Sequence, residues 1–229
     1  MSGPPVLGRP SPMRLALELP RAGLDAAGLA SVWPLLLRAP RGDGHPVLVL
    51  PGFGASDLST RVLRGFLRDR GYHVHAWRLG RNLGPRPATV EGLRSRVREL
   101  AERHGRTMSL VGWSLGGIYA REIARAAPAV VRQVITLGSP FHLYNRGALS
   151  VPSTAVFSRG DGVVSWRTCV EEATPTSESV EVVGSHSGLG HNPAVLWIVA
   201  DRLAQPEGSW RPFEARGAVP RLLRAKPLP

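Results

Sequence analysis

A chain of 229 residues, 43% of them hydrophobic, has enough apolar material for one substantial core, which excludes wholesale disorder and makes a single domain over 1–229 the expected organisation. The net charge of +12 raises nucleic acid as a partner, but Lys226 is the only lysine. The arginines are scattered over helical faces (Arg61, Arg64, Arg68; Arg94, Arg96, Arg98) rather than massed beside aromatics, so a nucleic-acid role is set aside.

Residues 1–12, rich in Pro and Gly, read as a flexible tail without the pattern of a secretory signal. No apolar run reaches the roughly 18 to 20 residues that span a bilayer. Cys169 stands alone, which excludes an intramolecular disulfide and a cysteine metal cluster. The cytoplasm is the compartment these features suggest.

Leu24, Leu29, Val32 and Leu36 recur at helical intervals and predict an amphipathic helix over 24–37, interrupted near Pro34. A Pro/Gly-punctuated loop follows. Val47-Leu48-Val49-Leu50 is a continuous apolar run ended by Pro51-Gly52, the pattern of a strand covered on both faces. Helix 58–70, strand 72–77 and a helix from Val90 to Gly105 come next. Then come strand 108–111, helix 115–127, and strands 130–137, 155–157 and 180–183. A final helix opens at Asn192-Pro193, with Asn as N-cap and Pro in the first turn. This alternation predicts an α/β fold: a doubly wound, mostly parallel sheet flanked by helices. The main body spans about 45–204, and the Arg/Pro-rich stretch 208–229 is expected to run over the surface.

The strongest chemical signal is Gly112-Trp113-Ser114-Leu115-Gly116-Gly117. Its G-x-S-x-G directly follows an apolar strand and directly precedes a helix, the setting of a nucleophile elbow. Such a turn strains the serine backbone and leaves no room for a Cβ at Gly112 or Gly116. Ser114 Oγ would stand above the sheet, and the N–H of Leu115, opening the helix, would face a developing oxyanion.

Through these residues the chain resembles the α/β-hydrolase family, from about His45 to Leu203. The resemblance implies an oxyanion-hole donor in the loop after an earlier strand, here the N–H of Phe53 in Pro51-Gly52-Phe53-Gly54. The same loop fails as a dinucleotide fingerprint, because Asp57 stands where a third Gly or Ala is required. The family order of Ser, then acid, then His places the acid at Asp161, in the glycine-flanked loop 158–164, with Glu171 and Glu172 as alternatives. It places the base at His186, two residues beyond Gly184, in preference to His191, which abuts a helix N-terminus unfavourable to imidazolium.

A serine hydrolase of the esterase or lipase kind would therefore use Ser114, His186 and Asp161, without metal or organic cofactor, on a small-molecule ester or lipid. An acyltransferase on the same groups and a non-catalytic binding protein of the same fold are the alternatives. Only a short stretch, Ser139 to Ser153, is available as a cap. Trp113, Phe141 and Asn82 (with Arg81) are the expected pocket residues. The basic surface and the 24–37 helix suggest peripheral contact with anionic lipid. His73 and His75 share a strand face, a pairing read as structural rather than as a metal site. Oligomeric state is left open.

Overall fold

In the computed structural model, residues 10–144, 147–215 and 224–228 are described. Strand β1 (Pro46–Leu50) shows why its run is apolar throughout. Val47 and Val49 pack into one hydrophobic layer with helix α2 (Glu18–Leu36), helix α3 (Arg61–Asp69) and helix α6 (Pro193–Leu203). Leu48 and Leu50 pack into the opposite layer with helix α4 (Pro87–His104) and helix α5 (Leu115–Ala126). With water excluded from both faces, each Val or Leu so buried contributes about 1.5–3 kcal/mol.

The other strands are β2 (His73–Ala76), β3 (Met108–Trp113), β4 (Val131–Leu137), β5 (Ser153–Phe157), β6 (Ser177–Glu181) and β7 (Lys226–Pro227). The sheet order is β2-β1-β3-β4-β5-β6-β7, parallel except for the β6–β7 edge. From β1 the chain first crosses outward to β2 and then returns past β1 to β3. The order therefore reverses between β1 and β3, and in such sheets a crevice opens there, beyond the carboxyl ends of the strands. Leu50 pairs with Gly112 in register, which sets Pro51-Gly52 beside Trp113-Ser114.

Several boundaries differ from those expected. Residues 1–9 of the tail expected over 1–12 lie outside the described residues, and Pro12 opens a short helix, α1 (Pro12–Ala16), capped by the Ser11 side chain. Helix α2 begins at Glu18 and runs unbroken through Pro34, which lies so close to the C-terminal end that little helix follows it. β6 ends two residues before Val183, which is exposed. Of the C-terminal stretch, residues 216–223 and 229 lie outside the described residues, and the described parts do not simply run over the surface. Phe213 is buried, its N–H donates to Glu178, and Lys226–Pro227 closes the sheet as an antiparallel edge. The Asn192 cap is as expected, accepting from the N–H groups of Ala194 and Val195.

Candidate active site

Ser114 sits between β3 and α5 with φ 53° and ψ −121°, a left-handed conformation that costs a non-glycine residue about 1–3 kcal/mol. Its N–H donates to Leu137 O (2.8 Å), tying the turn to β4. A Cβ on Gly112 would collide with the backbone of Gly116 and Gly117, and one on Gly116 with the carbonyls of Leu50 and Pro51. The chain thus turns from strand to helix in the least space it can. The first N–H groups of α5 have no intrahelical partners and carry the positive end of the helix dipole.

Facing the turn is the loop after β1. Gly52 lets it approach within 3.1 Å of the Ser114 Cβ, measured from where its own Cβ would stand. Asn82 braces this loop from beneath. Its Nδ2 donates to Pro51 O (2.8 Å), its backbone carbonyl accepts from Gly54 N–H (2.7 Å), and its N–H donates to Ala55 O (2.8 Å). Asn82 is fully buried, so the expectation that it lines a pocket is corrected: its Nδ2 is spent on the loop carrying Phe53 and its Oδ1 on the N–H of Gly84. Phe141 is corrected likewise. It is a core side chain under the Arg121 guanidinium, 4.2 Å from its ring centroid. Arg81 is exposed and does not line the cleft.

The cleft holds about 200 Å³ and is lined by Gly52, Phe53, Ala55, Trp113, Ser114, His186 and Ser187. His186 Nδ1 lies 2.6 Å from Asp161 Oδ2, both side chains nearly inaccessible. The other oxygen of Asp161 accepts from the N–H groups of Val163 (2.8 Å) and Val164 (2.7 Å), which fixes the carboxylate plane. Gly138, at φ 54°, makes room for this pair, because a Cβ there would stand 3.1 Å from His186 Nδ1 and 3.3 Å from Asp161 Oδ2. The indole N–H of Trp113 donates to His186 O (3.2 Å) and backs the histidine loop from the cleft side. With Nδ1 engaged by Asp161, Nε2 is the nitrogen left for the cleft, and an imidazole so held can accept a hydroxyl proton.

The alternatives are placed elsewhere. Glu171 forms a buried ion pair with Arg121 (2.8 Å) and accepts from Ser153 Oγ, and Glu172 is exposed. His191 Nε2 bonds Ala22 O (3.0 Å) and anchors α2. His73 and His75 meet a third histidine from the end of α4, with His75 Nε2 2.8 Å from His104 Nε2. Among the described residues no group of three or more His, Cys, Asp or Glu has the geometry to hold a metal ion.

Two features were not read from the sequence. One is Glu18, whose carboxylate accepts from the N–H groups of Gly162 (2.7 Å), His186 (3.2 Å) and Ser187 (2.9 Å). Burial pushes this carboxyl up, but the three N–H donors outweigh burial and hold it below the usual carboxylate range. Its signal was the polar stripe Arg14, Glu18, Arg21, Asp25 at helical spacing. The other is a hydrogen-bonded Asp–His–Ser relay at the opposite end of the sheet: Asp43 Oδ1 to His45 Nδ1, 2.6 Å, and His45 Nε2 to Ser109 Oγ, 2.8 Å. His45 and Ser109 are fully buried, and Ser109 lies within a strand rather than on a turn. A larger cavity of about 540 Å³, around Trp197, Asp201 and Arg211, shares no residue with the cleft.

No family model and no curated protein matches the chain by sequence. Solved structures do match it in shape. Lipase B of Aspergillus fumigatus superposes with a TM-score of 0.58 at 15% identity, over 72% of this chain and 53% of the lipase, so the match spans about half of that enzyme. A metagenome-derived lipolytic enzyme matches with a TM-score of 0.52 at 16% identity, over 72% of this chain and 93% of its own. A CIB-like hydrolase of Thermoplasma acidophilum matches with a TM-score of 0.51 at 15% identity, over 70% and 86%. Strand order, the strand–turn–helix serine and these neighbours agree: the chain has the α/β-hydrolase fold.

Proposed function

We propose that the protein is a serine hydrolase that cleaves carboxylic esters with Ser114 as nucleophile, His186 as base and Asp161 as the orienting acid. The observation that carries this reading is the cleft shared by Ser114 and His186, with Asp161 2.6 Å behind the histidine. Ser114 Oγ attacks the acyl carbon and yields its proton to His186 Nε2. The N–H groups of Phe53 and Leu115 hold the oxyanion, each contributing on the order of 3 kcal/mol to the transition state. Collapse breaks the ester C–O bond, and His186 returns the proton to the leaving alcohol. Water then gives a proton to His186 and attacks the acyl-enzyme; collapse breaks the bond to Ser114 Oγ, which takes that proton from His186 as the acid leaves.

The cleft, about 200 Å³, is small beside the ~300–1,000 Å³ of common ligand pockets and supports a short acyl group. p-Nitrophenyl acetate and butyrate should be turned over with a kcat/KM roughly tenfold or more above that of the laurate. A fluorophosphonate should label the native chain, with Ser114→Ala abolishing labelling and His186→Ala slowing it sharply. A folded native chain that takes no label would overturn the reading.

Met13, Leu15, Leu19 and Leu24 are exposed on the N-terminal helices of a chain with net charge +12. Exposed apolar side chains clustered at one end of a basic protein support docking to an anionic lipid surface.

A further inference from the structure

The acid and the base of the candidate site stand on two separate loops, residues 158–164 after β5 and residues 182–192 after β6. Parallel strands fix where such loops start but not how their tips are set against each other, and here the tips meet a third element. On the inward face of α1–α2, Arg14 donates to Arg159 O (2.7 Å), and Arg21 donates to Gly160 O (2.5 Å) and Gly184 O (2.8 Å). Asp25 accepts from the Ser185 hydroxyl (2.9 Å) and from Asn192 Nδ2 (3.2 Å). Glu18 sits midway and bonds both loops at once, through Gly162 on the acid side and His186 and Ser187 on the base side.

The loops are also shaped to receive the helix. A Cβ on Gly162 would strike the Arg14 carbonyl and come within 2.9 Å of Glu18 Oε1. One on Gly160 would stand 2.6 Å from the Arg21 guanidinium, and one on Gly188 would strike the Asp25 carboxylate. Three glycines in the two loops thus each open onto a charged residue of one helical face. Glu18 is 3% exposed, and a carboxylate that deeply placed is held by partners aimed at it.

We propose that Glu18 is a positioning residue, locking the Asp161 loop to the His186 loop so that the N-terminal helix, together with the sheet, assembles the acid–base pair. The inference rests on the serine-hydrolase reading for its effect on rate, but its effect on geometry does not.

Two measurements separate them. The first is fluorophosphonate labelling resolved into affinity and maximal rate. Glu18→Ala should lower the maximal rate by roughly 100-fold with little change in affinity, the scale expected when a reacting group is displaced by about an ångström. Glu18→Gln keeps one carbonyl oxygen for Gly162 and His186 and should recover roughly tenfold of that loss. Leu29→Ala, a buried apolar position about three turns further along the same helix, is the stability control. It should lower the melting temperature at least as much as Glu18→Ala while labelling at the native rate. If Leu29→Ala and Glu18→Ala lose labelling in step with stability, Glu18 is only structural and the inference fails.

The second measurement is the far-downfield proton resonance of the His186 Nδ1–H hydrogen bond to Asp161, assigned by its loss in Asp161→Asn. It should vanish in Glu18→Ala and persist in Glu18→Gln and Leu29→Ala. If the native chain takes no label but the resonance follows this pattern, the hydrolase reading fails and the positioning role stands. If the resonance is unchanged in Glu18→Ala, the positioning role fails whatever the activity.

Discussion

Asn82 and Phe141 exchange the roles their types suggest. Asn82 reads as a polar group for substrate, yet its side chain reaches 31 residues back to the Pro51 carbonyl and also accepts from Gly84 N–H (3.2 Å). Asn82→Ala would leave a buried carbonyl without its donor, at about 1–3 kcal/mol, and would free the loop that presents the Phe53 N–H. The variant should melt lower and take fluorophosphonate more slowly with the same affinity. Asn82→Asp, which cannot donate to Pro51 O when ionised, should behave no better. By contrast, the convergence of Ser114 and His186 on one crevice, with Asp161 behind, was legible, because the elbow is a local steric signature and the two loops follow identifiable strands. Asn82 was not, because its partner is set by which loops the fold brings together and not by anything within a few residues of it.

At the scale of the element, the N-terminal helices reverse the usual rule. Periodicity analysis assumes that an amphipathic helix turns its apolar face inward. Here the inward face of α1 and the first half of α2 carries Arg14, Glu18, Arg21 and Asp25, while Met13, Leu15, Leu19 and Leu24 face solvent. Only the second half of α2, with Leu29 and Leu36 in the core, obeys it. The helix was therefore anticipated from Leu24 onward and its functional half was not. The strands carry no such ambiguity, because a run apolar on both faces has one environment that suits it. Sedimentation with phosphatidylserine-containing vesicles should show binding that weakens as salt rises, while neutral vesicles bind poorly. The double variant Leu15→Glu/Leu19→Glu should abolish binding and leave hydrolysis of a dissolved ester unchanged. Equal binding by that variant would rule out this face as the contact.

Across the whole molecule, three histidines set the response to acid. Burial drives His45 down, against the opposing hydrogen bond it donates to Asp43, and the neighbouring Arg132 adds to the fall. Burial and then His104 push His75 down to about 4, and burial lowers His104 as well. Each has a folded pKa below its unfolded value, so the unfolded chain binds the proton first. Their contribution is complete above about pH 6.5 and is lost as pH falls from there toward the folded values. The melting temperature should be level near pH 7 to 8 and decline from pH 6.5 to 4. His75→Gln should flatten part of that decline, and an unchanged slope would remove His75 from the account. Asp43, whose carboxylate the hydrogen bonds of Arg132 and His45 hold far below the usual range against the cost of burial, gives way only at still lower pH.

The buried Asp43–His45–Ser109 relay bears directly on how any covalent probe is read out. Trypsin, cutting after Arg106 and Arg121, releases Ser109 and Ser114 on one peptide, residues 107–121. An adduct found by the mass of that peptide is thus consistent with either serine, although only Ser114 borders open space. Fragment ions cut between Leu110 and Trp113 divide the two. The molecule carries its own blank: two serines five positions apart, one bonded to a buried imidazole and shut away from the reagent, the other lining the open cleft with His186.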